Sequence, residues 1–262
     1  GYLDHPALKA RKKLVRAHNI EWQYYKNLQQ LERALIPKLY AALEWRKLIK
    51  WDQKLRLADH LLTISKRDQS HYSQLNPRAQ LIFPFHGNAQ TAHRFEAEPY
   101  VLFHGDLSIG DNVAVAQFLI DQLKDGDYEL VLAGRAPKKE LRQRIQKVEK
   151  VRLVANPDGA AMKALIQKAK VNVLWSFQTA GMKLKLVNAL FQGRFIVANE
   201  HILNGTPVEE TCLKANSPIE LREQITYSMQ HSWTKEMQEK RNNLLRDQFD
   251  DRANAFKIKN LL

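Results

Sequence analysis

Residues 171–198, VNVLWSFQTAGMKLKLVNALFQGRFIVA, constrain the fold more than any other stretch of the chain. They read as a buried strand, a glycine-bearing turn, a short helix with two lysines near its start, and a second strand. Near-continuous apolar strands such as VNVLW indicate a parallel sheet covered on both faces. Where the helix begins, near Gly181 and Met182, free backbone N–H groups and the positive end of the helix dipole gather. Lys183 and Lys185 add positive charge to that first turn, which disfavours the helix unless an anion answers it. This local conflict marks the turn as an anion site, suited to a group such as a diphosphate.

Strand and helix alternate along most of the chain. From Tyr100 the expected strands are 100–104, 128–133, 151–155, 171–175 and 194–198, with helices near 111–124, 138–147, 159–169 and 183–192. Ala116, Leu119, Ile120 and Leu123, then Met162, Leu165, Ile166 and Ala169, recur at i, i+3, i+4, i+7, the stripe of a helix packed on a sheet. Together these elements make a doubly wound α/β domain. Helices near 217–230 and 234–248 and a tail through Phe256 to Leu262 follow.

The front of the chain is a second α/β region. It reads as a strand over Lys12–Ala17, a helix from about Ile20 capped by Asn19, and a helix to about Leu57 with Pro37 in its first turn. A strand over His60–Ser65, a helix over Lys66–Leu75 and a strand over Ala79–Phe83 come next. The aperiodic segment Pro84–Pro99 is the linker candidate. The expected division is 1–96, 97–240, and a helical tail at 241–262 that packs back toward the front region.

Charge separates the two regions. Residues 1–96 carry 17 Lys/Arg against 8 Asp/Glu, whereas 97–262 carry 24 against 20. The front helices also mix Trp22, Tyr24, Tyr25, Trp45 and Trp51 with Arg46, Lys47, Lys50, Lys54 and Arg56. A solvated basic face, an anionic lipid surface and nucleic acid all fit that mixture. The single cysteine, Cys212, rules out an internal disulfide and fits a reducing compartment. No run approaches the ~18 apolar residues of a membrane span.

In open parallel sheets, ligands bind beyond the carboxyl ends of the strands. After strand 100–104 comes HGDLSIGDN, where Gly105 and Gly110 have phosphate-loop spacing but Asp111-Asn112 replace the required Lys and Ser/Thr. G-x-G-x-x-G does not occur, which argues against a dinucleotide dehydrogenase. Gly105 is either a close-approach turn for a phosphate or a plain strand-to-helix turn. Gly134-Arg135 and Asn156-Pro157 follow the next two strands.

The pattern GMKLKLVNALFQGRFIVA, with HGDLS, LVLAGR and VANPDGAAMKALI, resembles the donor-site signature of retaining, family 4-type glycosyltransferases of the two-lobed GT-B fold. It is similar in particular to bacterial enzymes of surface polysaccharide assembly. VRAHNIEWQYYKNL and LADHLLTISKRDQ resemble the later half of their N-terminal lobe. The resemblance implies two Rossmann-like lobes, the first incomplete, with about another hundred residues expected ahead of residue 1. It implies that Lys185 binds a donor diphosphate lying over Gly181 and Met182, that Gly105 and Arg135 approach the phosphates, and that Asn156 lies near the base. His18 matches a histidine facing the donor sugar from the N-lobe. Where the family commonly has two glutamates eight residues apart, this chain has Ala180 and Asn188, leaving ribose recognition to the Asn188 amide or to Gln178 and Thr179.

The activity so implied is transfer of a sugar from a nucleoside diphosphate donor to a glycan or lipid-linked glycan. It would occur in the cytoplasm, peripherally at the inner face of the membrane, with no cofactor, no metal and no nucleic-acid partner. Helix-end N–H groups with Lys185, Lys183 and Arg135 would carry the charge of the leaving diphosphate. The alternatives are a nucleotide-sugar or polyanion binding module without catalysis, and a nucleic-acid binder acting through the basic front helices.

Overall fold

The computed structural model describes residues 3–9, 11–32, 34–88, 96–178 and 184–262. They divide into two compact units, one comprising the chain up to Phe85 with Phe249–Leu262, the other running from His86 to Gln248.

The first unit is built on a three-stranded parallel sheet, β1 (Leu14–Ala17), β2 (His60–Thr63) and β3 (Ala79–Leu81), in that order. Between β1 and β2 lies a helical hairpin, α1 (Glu21–Leu31) and α2 (Leu35–Asp52), and α3 (Lys66–Tyr72) crosses from β2 to β3. Asn19 does not cap α1. The N-cap is Ile20, without a side-chain hydrogen bond, while the Asn19 carbonyl accepts from the Tyr72 hydroxyl at 3.1 Å. That bond ties the strand-to-helix turn to α3. Ser65 does cap α3, accepting from Asp68 N at 3.1 Å. The core is small, formed by Ala17, Ile20, Leu61, Tyr72 and Ala79 with Val15, Trp22, Leu55 and Leu75 against it.

The second unit is an open six-stranded parallel sheet: β4 (Glu98–Asp106), β5 (Glu129–Arg135), β6 (Val151–Ala155), β7 (Ala169–Leu174), β8 (Phe195–Ala198) and β9 (Leu213–Lys214). Their spatial order is β6-β5-β4-β7-β8-β9. Helices α4 (Gly110–Leu123), α5 (Lys139–Ile145), α6 (Gly159–Lys168), α7 (Leu184–Gln192), α8 (Glu200–Leu203), α9 (Pro218–Gln230) and α10 (Lys235–Gln248) follow in sequence, and α11 (Asp251–Lys259) closes the chain in the first unit.

Strand alternation sorts the core into two layers. Val101 and Phe103 of β4 face α4, α5 and α9, whose Val115, Leu119, Leu141, Leu221 and Ile225 are buried with them. Tyr100 and Leu102 face the other way, toward Ile166 of α6 with Met162 and Leu165. Helices therefore cover both faces, as near-continuous apolar strands require. Chain order reverses direction between β4 and β7, so the carboxyl ends of these two neighbours flank the crevice where open α/β sheets hold ligands.

The expected linker is shorter than its composition suggests, because Glu98 and Pro99 already belong to β4. Register along β7 shifts between Glu98 and Val101, a point where a residue lacking an N–H is tolerated. Arg241 of α10 is fully buried and has no acidic partner among the described residues. Its guanidinium donates to the carbonyls of Gly193, Arg194 and Thr211 and stacks 4.1 Å from the Trp233 ring centroid.

Candidate functional site

The carboxyl edge of the large sheet is assembled from the turns after β4, β5, β6 and β7. Thr179, Gly181, Met182 and Lys183, and with them Ala180, lie outside the described residues. Lys185 is described, and its side chain runs back toward the sheet. Its ammonium donates to the Trp175 carbonyl at 3.3 Å and sits 5.2 Å from the Phe103 ring centroid. Phe103 is in β4 and Trp175 directly follows β7, so the charge lies at the crevice between the two central strands. In the first turn of α7 it also opposes the helix dipole, a position that an anion would favour.

His104, next to Phe103, is 6% exposed, and its Nε2 has no hydrogen-bond partner among the described residues. Burial, and secondly the Lys185 charge, push its pKa down from 6.5 to about 4. The imidazole is therefore neutral at physiological pH and adds no positive charge beside Lys185. The Trp175 indole N–H, 4% exposed, likewise lacks a partner among the described residues. A buried, unmatched imidazole nitrogen near the Lys185 charge is costly for a structure with nothing to place there.

The segment 176–178 after β7 is pinned from both sides. Asp111, in the first turn of α4, accepts from the Ser176 hydroxyl at 2.8 Å and from Phe177 N at 3.0 Å. Asn199, just after β8, accepts from Ser176 N at 3.3 Å and donates to the Ser176 carbonyl at 2.7 Å. Gln178 N in turn donates to the Ser176 hydroxyl at 3.1 Å. Asp111 and Asn199 had no signal in the sequence, because each acts through loop backbone far from it along the chain.

The last residues of β4 and β5 are joined by an ion pair. Arg135 Nη2 meets Asp106 Oδ2 at 2.5 Å, with Nε at 3.2 Å. Asp106 also accepts from the Ser108 hydroxyl at 2.6 Å; that bond, then Arg135, lowers the carboxyl pKa to about 2. Gly105 and Gly134 face each other in the register of β4 and β5. A Cβ on Gly134 would fall 1.8 Å from the Gly105 carbonyl oxygen, so only glycine allows this approach of the two strands. Asn156 has φ +53° and accepts from Ala136 N at 2.8 Å, bracing the turn after β6 against the turn after β5.

Asn188, one turn beyond Lys185 on α7, belongs to a chain of amides. Asn88 donates to it at 3.0 Å, Gln192 donates to Asn88 at 2.7 Å, and Gln167 donates to Gln192 at 2.8 Å. Lys185, Gly105, Arg135, Asn156 and Gln178 thus lie at or just beyond the ends of β4 to β7, while the contacts of Asn188 run to Asn88, Gln192 and Gln167.

His18 belongs to the first unit, exposed in the turn after β1. It lines a cleft of about 320 Å³ whose walls include Trp22, Leu48, Trp51, Leu55 and Tyr72. Glu21 lies at the same cleft, its carboxyl pKa raised by burial against an opposing effect of His18. Aromatic walls with a polar rim suit a ligand that is part apolar and part hydrogen-bonding.

The family pattern described as "Glycosyl transferases group 1" matches residues 98–231. A curated relative, "Uncharacterized 44.6 kDa protein in cps region" of Klebsiella pneumoniae, is 25% identical over 254 residues, covering 90% of this chain and 64% of its own length. Among solved structures, TarM of S. aureus superposes with a TM-score of 0.67 at 13% identity, covering 97% of this chain and 50% of TarM. Anabaena Alr3699/HepE, solved in complex with UDP and glucose, gives 0.64 at 15% identity, covering 94% of this chain and 70% of its own. The chain therefore spans 64% of the curated relative and half of TarM. At these identities the solved structures speak for the fold, which is that of GT-B proteins with Rossmann-like lobes.

Proposed function

Because the chain belongs to the group 1 glycosyl transferases, we propose that it moves a sugar from a nucleoside diphosphate donor to an acceptor hydroxyl. Residues 97–240 hold the donor and residues 1–96 serve the acceptor. The observation that carries this reading is the Lys185 ammonium at the paired ends of β4 and β7, near the buried His104 imidazole whose Nε2 is unmatched among the described residues. As the anomeric C–O bond to the β-phosphate breaks, charge grows on the departing diphosphate, and a fixed cation placed there lowers the barrier. Lys183 and Arg135 assist, the reaction keeps the anomeric configuration, and neither metal nor cofactor takes part. Asn156 lies toward the base, and Asn188 with Gln178 and Thr179 toward the ribose. His18 faces the sugar.

The acceptor is a glycan or lipid-linked glycan in bacterial surface polysaccharide assembly, a reading supported by the cps region in the name of the Klebsiella relative. The setting is the cytoplasm, at the inner face of the membrane. Calorimetric titration with UDP and GDP tests the donor site. Saturable binding that Lys185→Ala weakens at least tenfold is expected, and unchanged affinity in that variant refutes the placement.

A second reading, nucleotide-sugar binding without transfer, is favoured by one observation. Asn188 is an amide already bonded to Asn88, and offers a diol no charge-assisted bond. Donor binding with no turnover across acceptors, and with catalysis unrestored by Asn188→Glu, would select it.

A further inference from the structure

Helix α2 turns apolar side chains outward as well as inward. Ala41 and Ala42 are buried, whereas Leu35, Ile36, Leu39, Tyr40 and Leu43 are 55–81% exposed. At about 100° per residue these five positions fall in one arc of roughly 140°. The following positions in the same arc are Arg46, Lys47 and Lys50, all exposed. One outward face is therefore apolar over the front of the helix and basic over its rear. Lys47 has Glu44 at 3.2 Å, and Arg46 lies 4.5 Å from the Trp45 ring centroid, so both long side chains run along the helix surface. Among the described residues no helix is long and apolar enough to cross a membrane.

We propose that this face of α2 docks on an anionic bilayer, with Leu35, Ile36, Leu39, Tyr40 and Leu43 at the boundary of headgroups and acyl chains and Arg46, Lys47 and Lys50 on lipid phosphates. An apolar stripe followed by cations is the composition of a helix lying in the membrane plane. Charge complementarity selects this occupant over a second copy of the chain. Two copies paired in parallel through α2 would set their cations against each other, and an antiparallel pair would set them against the partner's leucines. Leu48 and Trp51, further along the same helix, line the cleft that holds His18. A bilayer beneath α2 would bring a lipid-linked acceptor to that cleft. Only this last step rests on the proposed transferase reading.

Sedimentation with vesicles of phosphatidylglycerol and phosphatidylcholine in equal parts, compared with phosphatidylcholine alone, tests the inference on the full chain. Binding to the anionic vesicles is expected, weakened at least tenfold by Leu39→Ser/Leu43→Ser and by Arg46→Gln/Lys50→Gln. The altered side chains are exposed, so the circular dichroism of both variants should match the parent. Their UDP affinity stays unchanged, while Lys185→Ala loses UDP and keeps the vesicles. Loss of nucleotide binding therefore sinks the donor reading without touching this one. Variants that partition like the parent overturn the proposal. So does a parent that ignores anionic vesicles yet scatters light as a dimer which Leu39→Ser/Leu43→Ser dissociates.

Discussion

Acidification should weaken this protein through His104 in a window set by its surroundings. In the unfolded chain the imidazole takes up a proton near pH 6.5; in the folded chain, burial and Lys185 hold that event down to about 4. Above 6.5 both states are neutral and the residue contributes no pH dependence. As pH falls from 6.5, only the unfolded state binds the proton, so folding free energy is lost at about 1.4 kcal/mol per pH unit. The loss reaches about 3 kcal/mol near pH 4 and then levels off. This is a large part of the 5–15 kcal/mol roughly typical of a folded domain. Two measurements check it. NMR titration of the labelled imidazole should find its midpoint near 4, and the denaturant midpoint of His104→Gln should fall less between pH 7 and 4.5 than that of the parent. Saturating UDP should move the imidazole midpoint upward, since a diphosphate at Lys185 cancels part of the local positive charge. An imidazole titrating near 6.5, or equal acid sensitivity in both proteins, refutes the reasoning.

Other substitutions address other parts of the structure. Gly134→Ala forces a Cβ onto the Gly105 carbonyl and should cost about 3 kcal/mol or more, read as a fall in the denaturation midpoint. Arg241→Met strands the three carbonyls that the guanidinium serves and should cost on the order of 3 kcal/mol; Arg241→Lys should recover little, lacking the planar fork. Asp111→Ala removes both bonds to the loop after β7 and should weaken UDP roughly tenfold, about 1.4 kcal/mol, with little change in melting temperature.

Much of the second unit was legible from local pattern. The apolar runs at 100–104 and 151–155 fall within strands, that at 171–175 overruns β7 by one residue, and Leu119, Ile120 and Leu123 of the expected stripe are buried. Short elements escaped. Helix α8 and strand β9 carry too few residues for a period to register, and β9 exists only because β8 offers it an edge. Ala169 fits the helical stripe yet opens β7, since pairing with Glu98 outweighs one more turn of helix. At the carboxyl edge of the large sheet, Lys185 could be read from its place behind a strand and a glycine turn. His104, Asp111, Asn199 and Asn88 could not, because each acts through contacts between segments distant in sequence. Strand spacing also left open that Arg135 meets Asp106 and that Asn156 braces its neighbouring turn.

Ser176 is grasped from two directions, by a helix on one flank and by the residue closing the next strand on the other. A peptide segment already immobilised has little disorder left to surrender when a small molecule arrives. Recognition at this edge should then be enthalpic, with a modest entropic penalty. Altering what this edge accepts should call for exchanging outward side chains such as Phe177, not for lengthening the segment that presents them.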